Sequence, residues 1–205
     1  MQPATDRDGA RPLALVVHAH PSTTSFNHHL AQTTVNALSV SHDTELIDLY
    51  RIGFRPEMTL EEHRRYHSDE PITDPTVTAH VESLLRAETV AFVFPTWWSG
   101  LPAMLKGWLE KTMVPGVAFD FDNRGRVKPA LHNVQRLVGV TTYGSPRWKM
   151  RVVGDGGKRT LLRALRMNVP HRVATMWLGM YALVASTAAQ RDAFVDEVDR
   201  RLRSL

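Results

Sequence analysis

The spacing of apolar residues along the chain changes period repeatedly. "PLALVVHAH" (residues 12–20) is a nearly continuous apolar run that ends in polar residues, which predicts a strand buried on both faces. The pattern then turns helical from Phe26 to Leu38, with Ser25 as its N-terminal cap. "TELIDLY" (44–50) alternates, and so predicts a strand nearer an edge. Residues 54–75 are polar and punctuated, with room for one short helix at 60–66. "TVTAHVESLLRA" has helical spacing and stops before "ETVAFVFP" (88–95), a third strand. A helix over 102–113 follows, with Pro102 at a tolerated early position. "VAFDFDNRGRVKP" predicts a β-hairpin turning at Asn123-Arg124-Gly125. "VQRLVGVTTYGS" supplies a fourth buried strand, followed by a helix near 157–167. "HRVATMWLGMYALV" holds a fifth strand, and "TAAQRDAFVDEVDRRL" closes the chain as an amphipathic helix.

Strands that alternate with helices imply βαβ units, a parallel sheet and helices on both faces. Five such strands predict an α/β fold, a doubly wound sheet of order 2-1-3-4-5 in the flavodoxin-like arrangement. Sheets of this kind bind ligands beyond the carboxyl ends of the strands, where the strand order reverses. Three loops should therefore converge: "HPSTTSFN" (20–27), "PTWWSG" (95–100) and "TTYGS" (141–145).

Composition narrows the classes. A chain of 205 residues suits one domain, expected over 12–205 behind a disordered leader at 1–11. With no cysteine there is no disulfide, thiolate metal site or Cys nucleophile, which fits a cytoplasmic setting. No apolar run reaches the roughly 18 residues of a membrane span, so no membrane insertion is expected. The net charge is +4, and basic residues gather at 147–166. No nucleic-acid-reading motif accompanies them, so that cluster reads as solvated helix faces with an anion contact.

The three loops carry the candidate chemistry. "HPSTTSFN" puts hydroxyls, an amide and His20 at a helix N-terminus, where free N–H groups and the helix dipole favour phosphate. Neither GxGxxG nor GxxxxGK[ST] is present, which argues against a dinucleotide fingerprint or a P-loop. "PTWWSG" spends two of the five tryptophans on a turn, and two adjacent Trp at a strand end cannot easily share one core. A planar ring with polar edges suits them, and "TTYGS" adds backbone donors for such an edge. Phosphate at one end and a ring at the other describe a flavin nucleotide. His18 and His20 would face one side of a strand, but no nearby carboxylate is visible and no metal is expected. His28, His29, His63 and His67 read as exposed helix positions, Glu61-Glu62 as a helix start, and Ser99 lacks the GxSxG context of a nucleophile.

These motifs, with "FPTWWSGLPAMLKGWLEK" the most distinctive, "PGVAFDF" and the Thr-Thr pair before a glycine, resemble the NAD(P)H:quinone oxidoreductases of DT-diaphorase and bacterial drug-activity-modulator type. The resemblance runs from Leu13 to the end. It implies that His20, Thr24, Ser25, Phe26 and Asn27 hold the flavin phosphates and adjoining nucleotide. Pro95, Thr96, Trp97 and Trp98 would line the isoalloxazine, and Thr141, Thr142, Tyr143 and Gly144 would approach its pyrimidine edge. Ser99, Phe119 and Phe121 would wall the substrate space of a homodimer whose pocket the second subunit completes. FAD is the first choice and FMN the second, with NAD(P)H as electron donor and a quinone or small aromatic acceptor.

The chain departs from the family at two places. Tyr143 stands where Gly is usual, adding a ring that would narrow the pocket. The Tyr and His that DT-diaphorase uses beyond that point are missing, leaving Lys149 or Arg151, besides Tyr143, as candidate charge stabilisers. The expected cycle is ping-pong hydride transfer from NAD(P)H through the flavin. Alternatives are an azo- or nitro-reductase, a reductase tailoring an aromatic metabolite, and a flavin-binding regulatory subunit of a partner such as a potassium efflux system. An electron-carrying flavodoxin fits less well, given the basic charge and the absence of a short glycine-bearing phosphate loop.

Overall fold

The computed structural model describes residues 11–68 and 70–205, so the leader expected at 1–11 falls, apart from Arg11, outside the described residues. Five parallel strands form the sheet: β1 (Leu13–His18), β2 (Asp43–Asp48), β3 (Ala87–Pro95), β6 (Arg136–Thr142) and β7 (Ala174–Met180). Their order is β2-β1-β3-β6-β7, the predicted 2-1-3-4-5 arrangement once the hairpin strands β4 (Phe119–Phe121) and β5 (Val127–Pro129) are set aside as their own antiparallel pair. Each crossover carries a helix: α1 (Phe26–Leu38), α2 (Leu60–Arg65), α3 (Pro75–Arg86), α4 (Ala103–Thr112), α5 (Arg147–Val153) and α6 (Gly156–Arg159), with α7 (Ala188–Arg203) last. Among the described residues no helix is long and apolar enough to cross a membrane.

Strand alternation sorts the core into two layers. Leu15, Val17, Val90, Phe92 and Phe94 face one way, toward Val81 and Leu84 of α3 and Leu105 and Trp108 of α4. Ala14, Val16, Ala91, Val93, Val138 and Val140 face the other, toward Leu30 and Ala31 of α1 and Phe194, Val198 and Leu202 of α7. The central strands are therefore apolar almost throughout, while edge strand β2 is exposed over its first half, as its alternation predicted.

The local predictions hold where a cap or turn residue is specific. Ser25 caps α1 by accepting the His28 N–H, and Asp122 organises the hairpin turn by accepting the Arg124 and Arg126 N–H groups. The stretch 147–168 differs from the expected single helix at 157–167. Residues 147–153, to which no element was assigned, form α5, a helix that buries only Met150 and so shows no apolar stripe. The helix expected at 157–167 begins as α6, then loosens into a π turn (Thr160–Ala164) and a tight 3-10 turn (Leu165–Asn168).

Two contacts hold the loop after β2 against α4. Lys111 donates to the carbonyls of Arg55 (3.1 Å) and Glu57 (3.4 Å) and pairs with Glu62 of α2 at 2.9 Å, both side chains being buried. Burial opposes ionisation of Glu62, but hydrogen bonds from Lys111 and Thr59 outweigh it and hold the carboxyl below its ordinary range. Gly107 lets Pro56 approach: a Cβ there would lie 2.2 Å from the Pro56 carbonyl oxygen and 2.6 Å from its Cα. Backbone atoms cannot swing aside as a flexible side chain would. Gly107→Ala should therefore cost about 1–3 kcal/mol despite its better helix propensity. A urea unfolding curve should show a lower midpoint with an unchanged slope.

Candidate functional site

The three predicted loops meet at the carboxyl ends of β1, β3 and β6. β3 and β6 run in register to their last residues, pairing Phe94 with Thr141 and Pro95 with Thr142. The ladder continues one step further, because Thr96 N–H donates to the Thr142 carbonyl at 2.8 Å and the Thr96 and Thr141 hydroxyls lie 3.0 Å apart. Asn27, in the first turn of α1, donates to the Thr142 hydroxyl at 2.7 Å, joining the first loop to the third. Its Oδ1 is buried without a donor.

The β1–α1 loop is tied by its own side chains. His20 Nδ1 meets the Ser22 backbone, 3.0 Å from its N–H and 3.2 Å from its carbonyl. The Ser22 and Thr24 hydroxyls are 3.1 Å apart, and Ser25 Oγ donates to the Ser22 carbonyl. These bonds set the loop ahead of a helix N-terminus whose first N–H groups have no intrahelical partner. His20 lies beside Trp97, ring centroids 6.2 Å apart.

The double tryptophan has an unexpected conformation. Trp97 and Gly100 exchange both backbone hydrogen bonds (3.2 and 2.9 Å), so Trp98 and Ser99 form the centre of a two-residue turn. Both have positive φ, 49° and 59°. That pair of angles normally selects Asn-Gly, and each residue with a Cβ costs roughly 1–2 kcal/mol there. Trp97 is 42% exposed and Trp98 103%, so neither ring belongs to the core. Burial gives no return for the strain, as is common where a backbone serves a ligand.

Tyr143 corrects two expectations. Its side chain, 1% exposed, turns into the protein, donating to Asp155 at 2.5 Å and accepting from Trp177 Nε1 at 3.0 Å. It stacks on Tyr181 with centroids 4.3 Å apart and planes 6° from parallel. Burial first, then the Asp155 carboxylate, push its phenol far above the ordinary range, so it stays protonated. The ring therefore does not narrow the site, and the Tyr143 N–H is taken by the Met180 carbonyl at 2.8 Å and does not face a ligand. The other half of the third loop stays open, with nothing within 4 Å of a Cβ built on Gly144. No local signal marks Asp155, Trp177 and Tyr181 as this tyrosine's partners, because the start of α6 and the end of β7 supply them from distant parts of the chain.

Lys149 and Arg151 lie exposed on α5. Arg151 lines a cleft of about 520 Å³ with Arg147, Asp155, Lys158, Arg159 and Tyr181. Ser99 accepts the Gly156 N–H through its carbonyl, whereas Phe119 and Phe121 meet edge-to-face on the hairpin and Phe121 adjoins His67 of the α2 segment. The chain's own contacts thus divide these three between two separate features. His18 and His20 do not share a side: β1 ends at His18, which points beneath α1, and the chain turns before His20 reaches Trp97.

The chain is 32% identical to NAD(P)H dehydrogenase [quinone] 1 of Rattus norvegicus over 149 residues, 64% of this chain and 54% of the rat protein. It is 29% identical to ribosyldihydronicotinamide dehydrogenase [quinone] of Pongo abelii over 178 residues, 77% of this chain and 74% of that one. The chain thus spans about half the length of the first relative and three quarters of the second. The solved NAD(P)H:quinone oxidoreductase of Methanothermobacter marburgensis superposes with a TM-score of 0.78 at 26% identity, covering 95% of this chain and 98% of that one. These matches bear out the resemblance first read from the loop motifs. A profile described as flavodoxin-like fold matches residues 14–201, and the chain belongs to that family.

Proposed function

We propose that this chain is a flavin-dependent NAD(P)H oxidoreductase that passes two electrons by hydride transfer to a quinone or similar aromatic acceptor. The observation that carries the proposal is the pair of exposed tryptophans on a strained turn, beside a hydroxyl-lined helix N-terminus. The similarity to relatives named as quinone-dependent NAD(P)H dehydrogenases supports it.

The residues present fit the group. The start of α1 offers N–H donors and hydroxyls for phosphate, the turn offers flat apolar surface, and Asn27 Oδ1 is a buried acceptor awaiting a donor. His20, Thr24, Ser25, Phe26 and Asn27 would hold the phosphates and the adjoining nucleotide; Pro95, Thr96, Trp97 and Trp98 would line the ring, and Thr141, Thr142 and Gly144 its polar edge. Bound there, the flavin would supply hydride acceptance from NAD(P)H and donation to the acceptor. The protein's part is to orient the partners, exclude water from the ring face and offer Arg151 or Lys149 as positive charge. Donor and acceptor would use one face in turn, which gives ping-pong kinetics. FAD is preferred to FMN. Ser99, Phe119 and Phe121 would wall the substrate space of a homodimer whose second subunit completes the pocket.

Purified protein should absorb in the visible flavin bands and bleach with NADH or NADPH, the released chromophore's mass identifying FAD or FMN. A colourless protein that takes up neither added flavin would overturn the proposal. The paired change Trp98→Asn and Ser99→Gly installs the favoured turn residues. It should raise apoprotein Tm by about 2–4 °C, for roughly 1 kcal/mol of relieved strain. The same variant should weaken flavin binding about three- to tenfold in a fluorescence titration, having lost an aromatic contact. Arg151→Met should slow reduction by NAD(P)H about tenfold or more in stopped flow if Arg151 is the charge stabiliser. Unchanged rates in both Arg151→Met and Lys149→Met would remove that role.

A further inference from the structure

His18, His28 and Asp48 are far apart in sequence and meet beneath the first turn of α1. His18 and Asp48 are direct register partners at the ends of β1 and β2, and their side chains share the face that α1 covers. One ligand-type atom from each of the three lies within 4.8 Å of the others, and His28 Nδ1 stands 3.9 Å from Asp48 Oδ2. The side chains of His28 and Asp48 are 12% and 8% exposed, and His18 is fully buried.

We propose that this cluster is a binding site for a divalent cation of the zinc class, with His18 Nε2, His28 Nδ1 and Asp48 Oδ2 as its protein ligands.

The tautomer of His18 carries the argument. Its Nδ1 lies 3.1 Å from the Val93 carbonyl, which can only accept, so Nδ1 holds the proton and Nε2 presents a lone pair. That lone pair is buried and has no donor, an unmet acceptor in a cluster with another imidazole and a carboxylate. Each of the three side chains is also held from behind, as metal ligands usually are. Val93 holds His18, and the Arg51 N–H holds Asp48 through Oδ1 at 3.3 Å. Gln32 meets His28 Nε2 at 3.1 Å. Gln32 is exposed, so half a turn of its amide would give its oxygen to Nε2–H when Nδ1 binds metal.

Distance and donor type select the ion. Ligand atoms on one tetrahedral zinc lie about 3.4 Å apart, given metal–ligand bonds of about 2.0–2.2 Å. Small rotations of His28 and Asp48 toward the fixed His18 would close the remaining gap. Two imidazoles and one carboxylate suit zinc, nickel or cobalt rather than calcium or magnesium, which prefer all-oxygen shells. Three protein ligands leave a fourth position for water. The ion would clamp the start of α1 to β1 and β2, directly behind the loop of residues 20–25. The site does not depend on the proposed flavin.

The test is isothermal titration of the metal-stripped full chain with zinc chloride. One ion per chain at micromolar Kd or tighter is expected, with a Tm rise of about 5–10 °C at a hundredfold excess over Kd. His28→Gln and Asp48→Asn should each weaken binding at least tenfold, whereas His29→Gln, an exposed neighbour on the same helix, should leave it unchanged. Circular dichroism checks that each variant is folded, and Asp48→Asn can keep the cap on Arg51 through its remaining oxygen. Absence of binding at millimolar zinc, or full binding by folded His28→Gln and Asp48→Asn, would overturn the site and leave only a hydrogen-bonded His28–Asp48 pair.

Discussion

The parallel pairing of β1 with both β2 and β3 is the constraint on which the rest of the molecule depends. A parallel connection must cross over, and in nearly all proteins it does so right-handedly. Building from β1 outward to β2, then back across to β3 and on to β6, therefore puts α1 and the later crossover helices on opposite faces. The loops leaving β1 and β3 part at that reversal and open a crevice between them. Val93 shows how closely the two strands are bound there: its carbonyl accepts from the Ala19 backbone and meets the His18 ring. Any slip in this register would separate the His20 loop from the Trp97–Gly100 turn.

Around this frame most buried polar groups find partners. Trp108 donates to His80 deep between α3 and α4, and burial lowers the pKa of that histidine and favours its neutral, accepting form. Lys111 and Glu62 form a buried pair whose remaining valences are met by backbone groups, the condition under which such a pair is tolerated. The Tyr143 hydroxyl is met from both sides. Among the described residues, two buried side-chain atoms have no partner, His18 Nε2 and Asn27 Oδ1. Both lie at the first turn of α1. A well-satisfied interior with its exceptions gathered at one helix start is what ligand binding on both sides of that turn would produce.

The turn at Trp98–Ser99 is the opposite case, strain on the surface in place of unmet polarity inside. A stability-optimised chain would carry Asn-Gly there and bury or omit the tryptophan. Keeping two large rings in solvent, one of them on positive φ, makes sense only if another molecule covers them.

Period and punctuation in the sequence determined the elements, their order and the convergence of three loops. Apolar runs without alternation can only be strands covered on both sides, and Ser25 and the Asn123–Gly125 turn act through neighbours a few residues away. The helix start behind "HPSTTSFN" and the exposed rings of "PTWWSG" were legible for the same reason, since each motif is contiguous. Tertiary structure alone decided what depends on distant segments. Tyr143 turned inward because Asp155 at the start of α6 and Trp177 and Tyr181 at the end of β7 surround its ring. Asp48 became the carboxylate missing from the His18 neighbourhood because β2 lies beside β1 in register, 30 residues along the chain. Helix α5 escaped notice because one buried residue in seven leaves no periodic trace. Local patterns encode contacts within a turn or a strand; side-chain partners brought together by the sheet leave no mark in sequence spacing.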